Sequence, residues 1–166
     1  MMTYGTTVPA FYQNYVDLLN GRNFYDVLQN TDIWDFLASL PEEKAAYRYA
    51  EGKWSVAQVI AHMCDAERVF QYRALHMART PGIELPGFDE NAWADRNNAE
   101  DQSLAEVTAD FRTVRNSSLA LFGRFSEAEL LSKGKANGYE MSAGFIGICT
   151  AGHQLHHTRI LQERYL

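Results

Sequence analysis

The chain has 166 residues, 46% of them hydrophobic and 22% charged, which is the ordinary composition of one globular domain over residues 1–166. The net charge of -6 and the scattered Lys and Arg argue against binding to nucleic acid or to an acidic membrane. No run of about 18 uncharged apolar residues is present, so no membrane-spanning helix is expected. Because the N-terminus lacks a secretion signal and two cysteines make no disulfide framework, we expect a cytoplasmic protein.

The first half of the chain shows apolar residues at helical spacing. This spacing predicts a short N-terminal helix that begins at Pro9 and a longer helix over residues 24–40. Ser55 and Gln58 form a capping box, in which each side chain satisfies a free backbone N–H group of a helix start. We therefore expect the next helix over residues 55–79.

The second half begins with a long connection over residues 80–102, of a length that is usually functional or crosses the fold. Two further capping boxes predict helices over about 103–124 and 126–131. A turn-rich loop over residues 134–138 precedes the last helix, over about 143–164. We see no strand alternation of useful length. The sequence therefore predicts an all-α four-helix bundle, in which the long connection between the second and third helices frees them from being antiparallel.

Histidines mark the candidate site, because three of the five lie within five residues of the last predicted helix. His153 and His157 are four residues apart and project from one face, the spacing at which a helix offers two imidazoles to one metal ion. His62 lies on an apolar edge of the 55–79 helix, and we expect the fold to bring it against this pair. Three imidazoles leave a fourth position open for water or a substrate, as in a catalytic divalent site.

Both the third ligand and the metal ion have alternatives. His156 competes with His157, but it lies about 100° around the helix from it, and the four-residue spacing aligns His157 better with His153. Zn²⁺ or Ni²⁺ is the expected ion, with iron or manganese as alternatives, because imidazoles accept several divalent ions.

Asp65 is the candidate catalytic residue, since it follows His62 by one helical turn. It could orient a ligand or accept a proton from bound water. The structural alternative is a salt bridge with Arg68. Arg73 and Tyr72, about three turns from His62, are candidates for contact with an acidic cosubstrate. The chain has no Glu-x-x-His, His-Glu-x-x-His or Cys-x-x-Cys-His motif and no glycine-rich phosphate loop, which argues against di-iron, metalloprotease, haem and nucleotide sites.

Four short motifs carry a family resemblance: WSV at 54–56, AHMCDAER at 61–68, LPGFD at 85–89 and GHQLHH at 152–157. In their order and spacing they resemble the DinB-like (DinB/YfiT) superfamily, from about residue 10 to the end of the chain. The resemblance implies a four-helix bundle with an up-down-down-up order, a divalent metal held by His62, His153 and His157, and a homodimer. Related branches include transferases and isomerases that use bacillithiol or mycothiol, and other members have no assigned activity.

We therefore expect a divalent-metal-dependent enzyme that acts on a small molecule. It would be either a thiol-dependent S-transferase, with a low-molecular-weight thiol as cosubstrate, or a hydrolase. The alternative is a non-catalytic stress-response or metal-binding module of the same family. An open position on the metal inside a reachable pocket would favour the enzyme, and a closed site would favour the module.

Overall fold

The computed structural model describes residues 2–166 and is mainly helical. Its helices are α1 (Gln13–Leu19), α2 (Phe24–Gln29), α3 (Asp32–Ala38), α4 (Val56–Arg79), α5 (Glu90–Ala94), α6 (Leu104–Phe122), α7 (Glu127–Leu131) and α8 (Ala143–Ile160). Its strands are β1 (Glu84–Leu85), β2 (Lys133–Ala136) and β3 (Tyr139–Ser142). A π-helical turn over Leu161–Tyr165 continues α8. None of the helices within residues 2–166 is long and apolar enough to cross a membrane.

The helices form a four-helix bundle in which α2 and α3 together make the first helix, and α4, α6 and α8 make the others. Side-chain contacts between α4 and α6 advance in the same direction along both helices, so these helices are parallel. The contacts join Cys64 to Asp110, Glu67 to Arg115 and Gln71 to Ser118. Helix α8 runs opposite to α4, because His62 packs against His157 whereas Phe70, two turns further on, packs against His153.

The first bundle helix is antiparallel to α6. Leu28 in α2 accepts a hydrogen bond from Arg115 in α6. Trp34, which follows in α3, packs against Phe111, which precedes Arg115 in α6. The four directions therefore follow the up-down-down-up order. The long connection between α4 and α6 makes their parallel arrangement possible, and the predicted four-helix bundle is confirmed.

Three helix starts carry the capping boxes that the sequence predicted. In each box the serine side chain accepts the backbone N–H three residues on, and the side-chain oxygen at that position accepts the backbone N–H of the serine. The pairs are Ser55 with Gln58, Ser103 with Glu106 and Ser126 with Glu129. Local side-chain chemistry therefore fixes where α4, α6 and α7 begin.

The prediction of one continuous helix over residues 24–40 is wrong, because Asn30 has an extended backbone between α2 and α3. The Asn30 side-chain oxygen accepts the backbone N–H of Asp32 at 2.6 Å. Short polar side chains that bond to nearby backbone compete with the helix in this way, and Thr31 beside it has weak helix propensity. The first bundle helix is therefore two short helices.

A small sheet replaces the loop that the sequence predicted over residues 134–138. Strand β2 pairs antiparallel with β3 and parallel with β1. The turn between β2 and β3 has Asn137 at φ 52° and Gly138 at φ 80°, the left-handed pair that a two-residue hairpin requires. No strand within residues 2–166 exceeds four residues, which is too short for a period of two to be visible in the sequence.

Helix α8 lies at the centre of the molecule, and every residue from 143 to 154 is buried. Gly152 permits this packing, because a Cβ atom there would lie 2.4 Å from the Tyr15 Cβ atom. The missing side chain lets α1 approach α8 closely. As a result the Tyr15 ring meets the edge of the His153 ring, with 5.8 Å between centroids.

A buried ion pair joins the two parallel helices. Glu67 on α4 accepts hydrogen bonds from Arg115 on α6 at 2.8 and 2.7 Å and from Ser118 at 2.6 Å. The side chains of Glu67 and Arg115 are only 3% and 1% exposed. Because each charge is both paired and hydrogen-bonded, the interior tolerates the pair.

Candidate metal centre

Three histidines from two helices converge inside the bundle. His62 on α4 and His153 and His157 on α8 each offer a ring nitrogen, and these nitrogens lie within 4.8 Å of one another. The Nε2 atoms of His62 and His153 are 3.0 Å apart. All three side chains are buried. The helical spacing placed two imidazoles on one face of α8, and the antiparallel packing of α4 supplies the third.

Aromatic residues surround the three imidazoles. The His62 ring packs on Trp54 at 4.6 Å between centroids, and the His153 ring meets the edge of Phe70 at 5.6 Å. Tyr15 covers another side of His153. These contacts hold the rings in place and keep water from most of their surface.

Burial keeps the histidines neutral. It lowers the pKa of His62 to about 4, with a further contribution from His156. Burial also lowers the pKa of His153 and His157 well below 6.5, and the neighbouring imidazoles add to the effect. A neutral imidazole is the form that binds a metal ion. In addition, Nδ1 of His157 is buried without a hydrogen-bond partner among the described residues, and the cluster therefore fits a divalent ion that would engage its lone pairs.

The three histidines border a cavity of about 240 Å³. Its aromatic walls are Phe11, Tyr15, Trp54, Phe70 and Phe88. Its further polar lining residues are Tyr12, Arg73, Glu90, Asn137 and His156. A cavity that combines aromatic walls with polar side chains fits a site for a small molecule.

His156 borders the cavity but lies outside the group of three. Its Nδ1 atom is 3.3 Å from the Asn14 side-chain amide, and its ring is 5.0 Å from the His157 ring. The structure therefore places His157, and not His156, with His62 and His153. That His157 and not His156 binds a metal ion stays a prediction.

Asp65 forms the salt bridge with Arg68 that was the structural alternative to a catalytic role. Arg68 donates to it at 3.2 Å and also pairs with Asp110. Asp65 is not among the residues that line the cavity, and burial raises the pKa of its carboxyl group. Its catalytic role stays a prediction. The carboxylate that does border the cavity belongs to Glu90 on α5.

Several cavity residues lie far from the histidines in sequence and were missed. Tyr12 and Tyr15 come from the N-terminal segment, Asn137 from the β2–β3 turn and Glu90 from the long connection. The one sequence signal was the length of that connection, which indicated a functional segment. Which of its side chains reach the cavity depends on tertiary packing.

The sequence pattern of the DinB superfamily matches residues 27–161. The chain belongs to the DinB superfamily. A solved structure with a similar fold is that of YfiT from Bacillus subtilis, with a TM-score of 0.67 and 14% sequence identity over 96% of this chain and 90% of that one. YfiT is described as a probable metal-dependent hydrolase with an unusual four-helix bundle topology. No curated protein matches this chain.

Proposed function

We propose that this protein is a metal-dependent enzyme that acts on a small molecule. In this proposal His62, His153 and His157 bind one divalent ion, Zn²⁺ or Ni²⁺ in preference to iron or manganese, and its open position faces the cavity. The observation that carries the proposal is the convergence of three neutral imidazoles at a cavity of about 240 Å³. A structural site would have a fourth protein ligand in place of the cavity.

The proposed chemistry is attack by water or a thiol on a bound electrophile, in which the nucleophile loses its proton and the electrophile's leaving group departs with a proton. A divalent ion bound there would supply Lewis-acid chemistry that makes water or a thiol nucleophilic near neutral pH. The aromatic walls would exclude bulk water, and the buried histidines would stay unprotonated. Hydrolysis and transfer to a low-molecular-weight thiol differ only in the nucleophile. The description of YfiT supports the first, and the resemblance to bacillithiol- and mycothiol-dependent enzymes supports the second.

Metal analysis of purified variants tests the ligand assignment. We expect about one ion per chain in the native protein and loss of that ion in H62A, H153A and H157A that still fold, because two imidazoles hold a divalent ion poorly. H76A is the matched control: His76 is on α4 but packs on Tyr72 away from the cavity. A native protein that binds no ion after supply of Zn²⁺ or Ni²⁺ would contradict the proposal.

A cobalt-substituted protein separates an enzyme from a closed metal-binding module. If one position is open, a small thiol will bind to cobalt and produce a thiolate-to-cobalt absorption band. A closed four-ligand site will produce no band on thiol addition, and that result would support the non-catalytic module. Homodimer formation and a cytoplasmic location stay predictions.

A further inference from the structure

A buried arginine that has no acidic partner among the described residues lies on the cavity wall. Arg73 is 4% exposed, and its one hydrogen bond within residues 2–166 goes from Nη2 to the Pro86 carbonyl at 2.9 Å. A guanidinium has five N–H donors, so four remain without a protein acceptor among the described residues. Arg115, which is 1% exposed, has Glu67 as its partner. A buried charge usually has such a partner, so the surroundings of Arg73 are unusual.

Arg73 lines the same cavity as the histidines. Arg73 lines it together with Tyr12 and Asn137, and its guanidinium lies 5.8 Å from the Phe88 ring. Burial lowers the pKa of Arg73, but a guanidinium remains charged at neutral pH. The cavity wall therefore carries the positive charge of the Arg73 guanidinium, which has unused hydrogen-bond donors.

Arg73 and His62 lie on one uninterrupted helix, eleven residues apart. At about 1.5 Å per residue, their Cα atoms are roughly 16 Å apart. Both side chains lean toward the helix N-terminus, and arginine is the longer of the two, so the guanidinium lies roughly 10–15 Å from the imidazole. Glu90, the carboxylate that also lines the cavity, makes no ion pair with Arg73 and is exposed.

We infer that Arg73 binds a carboxylate or phosphate group of the small molecule whose reacting group lies at the histidines. The substrate class is thus an oxyanion-bearing molecule with its charge roughly 10–15 Å from its reacting atom. A guanidinium binds either oxyanion through two parallel hydrogen bonds, and these bonds are stronger where water is excluded. The inference rests on the proposed function for the reacting end, whereas the anion site depends on Arg73 alone.

Binding of matched probes to the full-length protein tests the anion site. Octanoate, octyl phosphate and neutral octan-1-ol are titrated by calorimetry into the native protein and into R73M, R73K and R79M, with and without zinc. We expect octanoate or octyl phosphate to bind R73M about tenfold or more weakly than native protein, with octanol affinity unchanged, because a charge-assisted pair is lost. Arg79, paired with Glu129 on the surface of the same helix, is the control and should change nothing.

The two anions distinguish carboxylate from phosphate substrates by their order of affinity. Equal binding of both anions to native protein and R73M, or no preference of native protein for anions over octanol, would overturn the inference. If R73M does not fold, R73K carries the test: it keeps the charge but loses the two-pronged geometry, so anion affinity should fall severalfold with octanol unchanged. Unchanged anion affinity in folded R73K would then be the contradicting result.

A thiol probe separates this inference from the metal proposal. In zinc-loaded protein, 8-mercaptooctanoate should bind more tightly than octanoate if Arg73 binds the carboxylate and the zinc binds the thiol. If the thiol adds no affinity while the dependence on Arg73 persists, the anion site stands and the metal function fails. If the thiol adds affinity but the dependence on Arg73 is missing, the metal function stands and the anion site fails.

Discussion

At the scale of single residues, the cavity is shaped as much by one missing side chain as by the histidines themselves. Gly152 lets the backbone of α1 touch α8, and Tyr15 thereby covers His153. The neutral state of His153 follows from that burial. One hydrogen atom in place of a methyl group therefore affects both the packing and the chemistry of the site.

Replacing Gly152 by alanine should destabilise the protein, although alanine is the better helix former by about 1 kcal/mol. The added Cβ would lie 2.6 Å from the Tyr15 carbonyl oxygen and close to its Cα, so α1 must move away. We expect a loss of about 1–3 kcal/mol in the free energy of unfolding, measured by urea denaturation. R159A, an exposed change on the same helix, is the control, and an increase in stability for G152A would contradict the close contact.

At the scale of elements, the bundle combines locally encoded helix starts with pairings that act across long separations. The capping serines fix the starts of α4, α6 and α7, whereas Glu67 and Arg115 align α4 with α6. Local signals explain why the helix positions are predictable from sequence. The long-range pair holds two parallel helices that share no tight turn.

Breaking the buried ion pair should be costly. R115M leaves the Glu67 carboxylate buried without its partner, and we expect a loss of about 3–5 kcal/mol in the free energy of unfolding. K133M, which removes the surface pair with Glu140, should cost less than about 1 kcal/mol. Equal losses in the two variants, measured by chemical denaturation, would show that the buried pair has no special role.

The capping glutamates should make stability depend on pH in acid. Hydrogen bonds from the backbone and side chain of Ser103 lower the pKa of Glu106, and those of Ser126 do the same for Glu129. Because these pKa values are lower in the folded state, the stabilisation is present above the unfolded pKa and is lost as pH falls through the folded pKa. Carboxyl titration by NMR should show Glu106 titrating below its usual range and returning toward it in S103A. An unshifted Glu106 in native protein would refute the capping box.

The sequence predicted the helices better than the cavity for a physical reason. Helical periodicity and capping involve neighbours within four residues, so α4, α6, α8 and the spacing of His153 and His157 are visible in the chain itself. The break at Asn30 is a competition between two local hydrogen-bonding modes that periodicity does not resolve. Glu90 and Asn137 enter the cavity only through the path of the long connection and the hairpin.

At the scale of the whole molecule, the proposed metal centre joins two helices, α4 and α8, that lie far apart in the sequence. An ion held by α4 and α8 would bind the folded chain and not the unfolded one. Such binding stabilises the fold in proportion to the logarithm of free metal. The site would therefore act on the stability of the entire bundle.

Metal removal should consequently lower the thermal midpoint. With free zinc at about 100 times its dissociation constant, linkage adds about 2.7 kcal/mol, which corresponds to a rise of about 5–10 °C for a chain of this size. Scanning calorimetry of native protein with zinc or with chelator measures the difference. H62A should show the same midpoint in both conditions, and a zinc effect of native size in folded H62A would place the binding elsewhere.

The uninterrupted course of α4 has a consequence for selectivity by length. His62 and Arg73 belong to the same continuous helix, so their Cα atoms cannot move closer together when a ligand is too short. The ligand length that the protein prefers would then depend on the number of helical turns between the two residues, each about 5.4 Å. A homologue that changes the reach of its substrates would do so by moving the arginine one turn along the helix, to residue 69 or 77, while the histidines stay where they are.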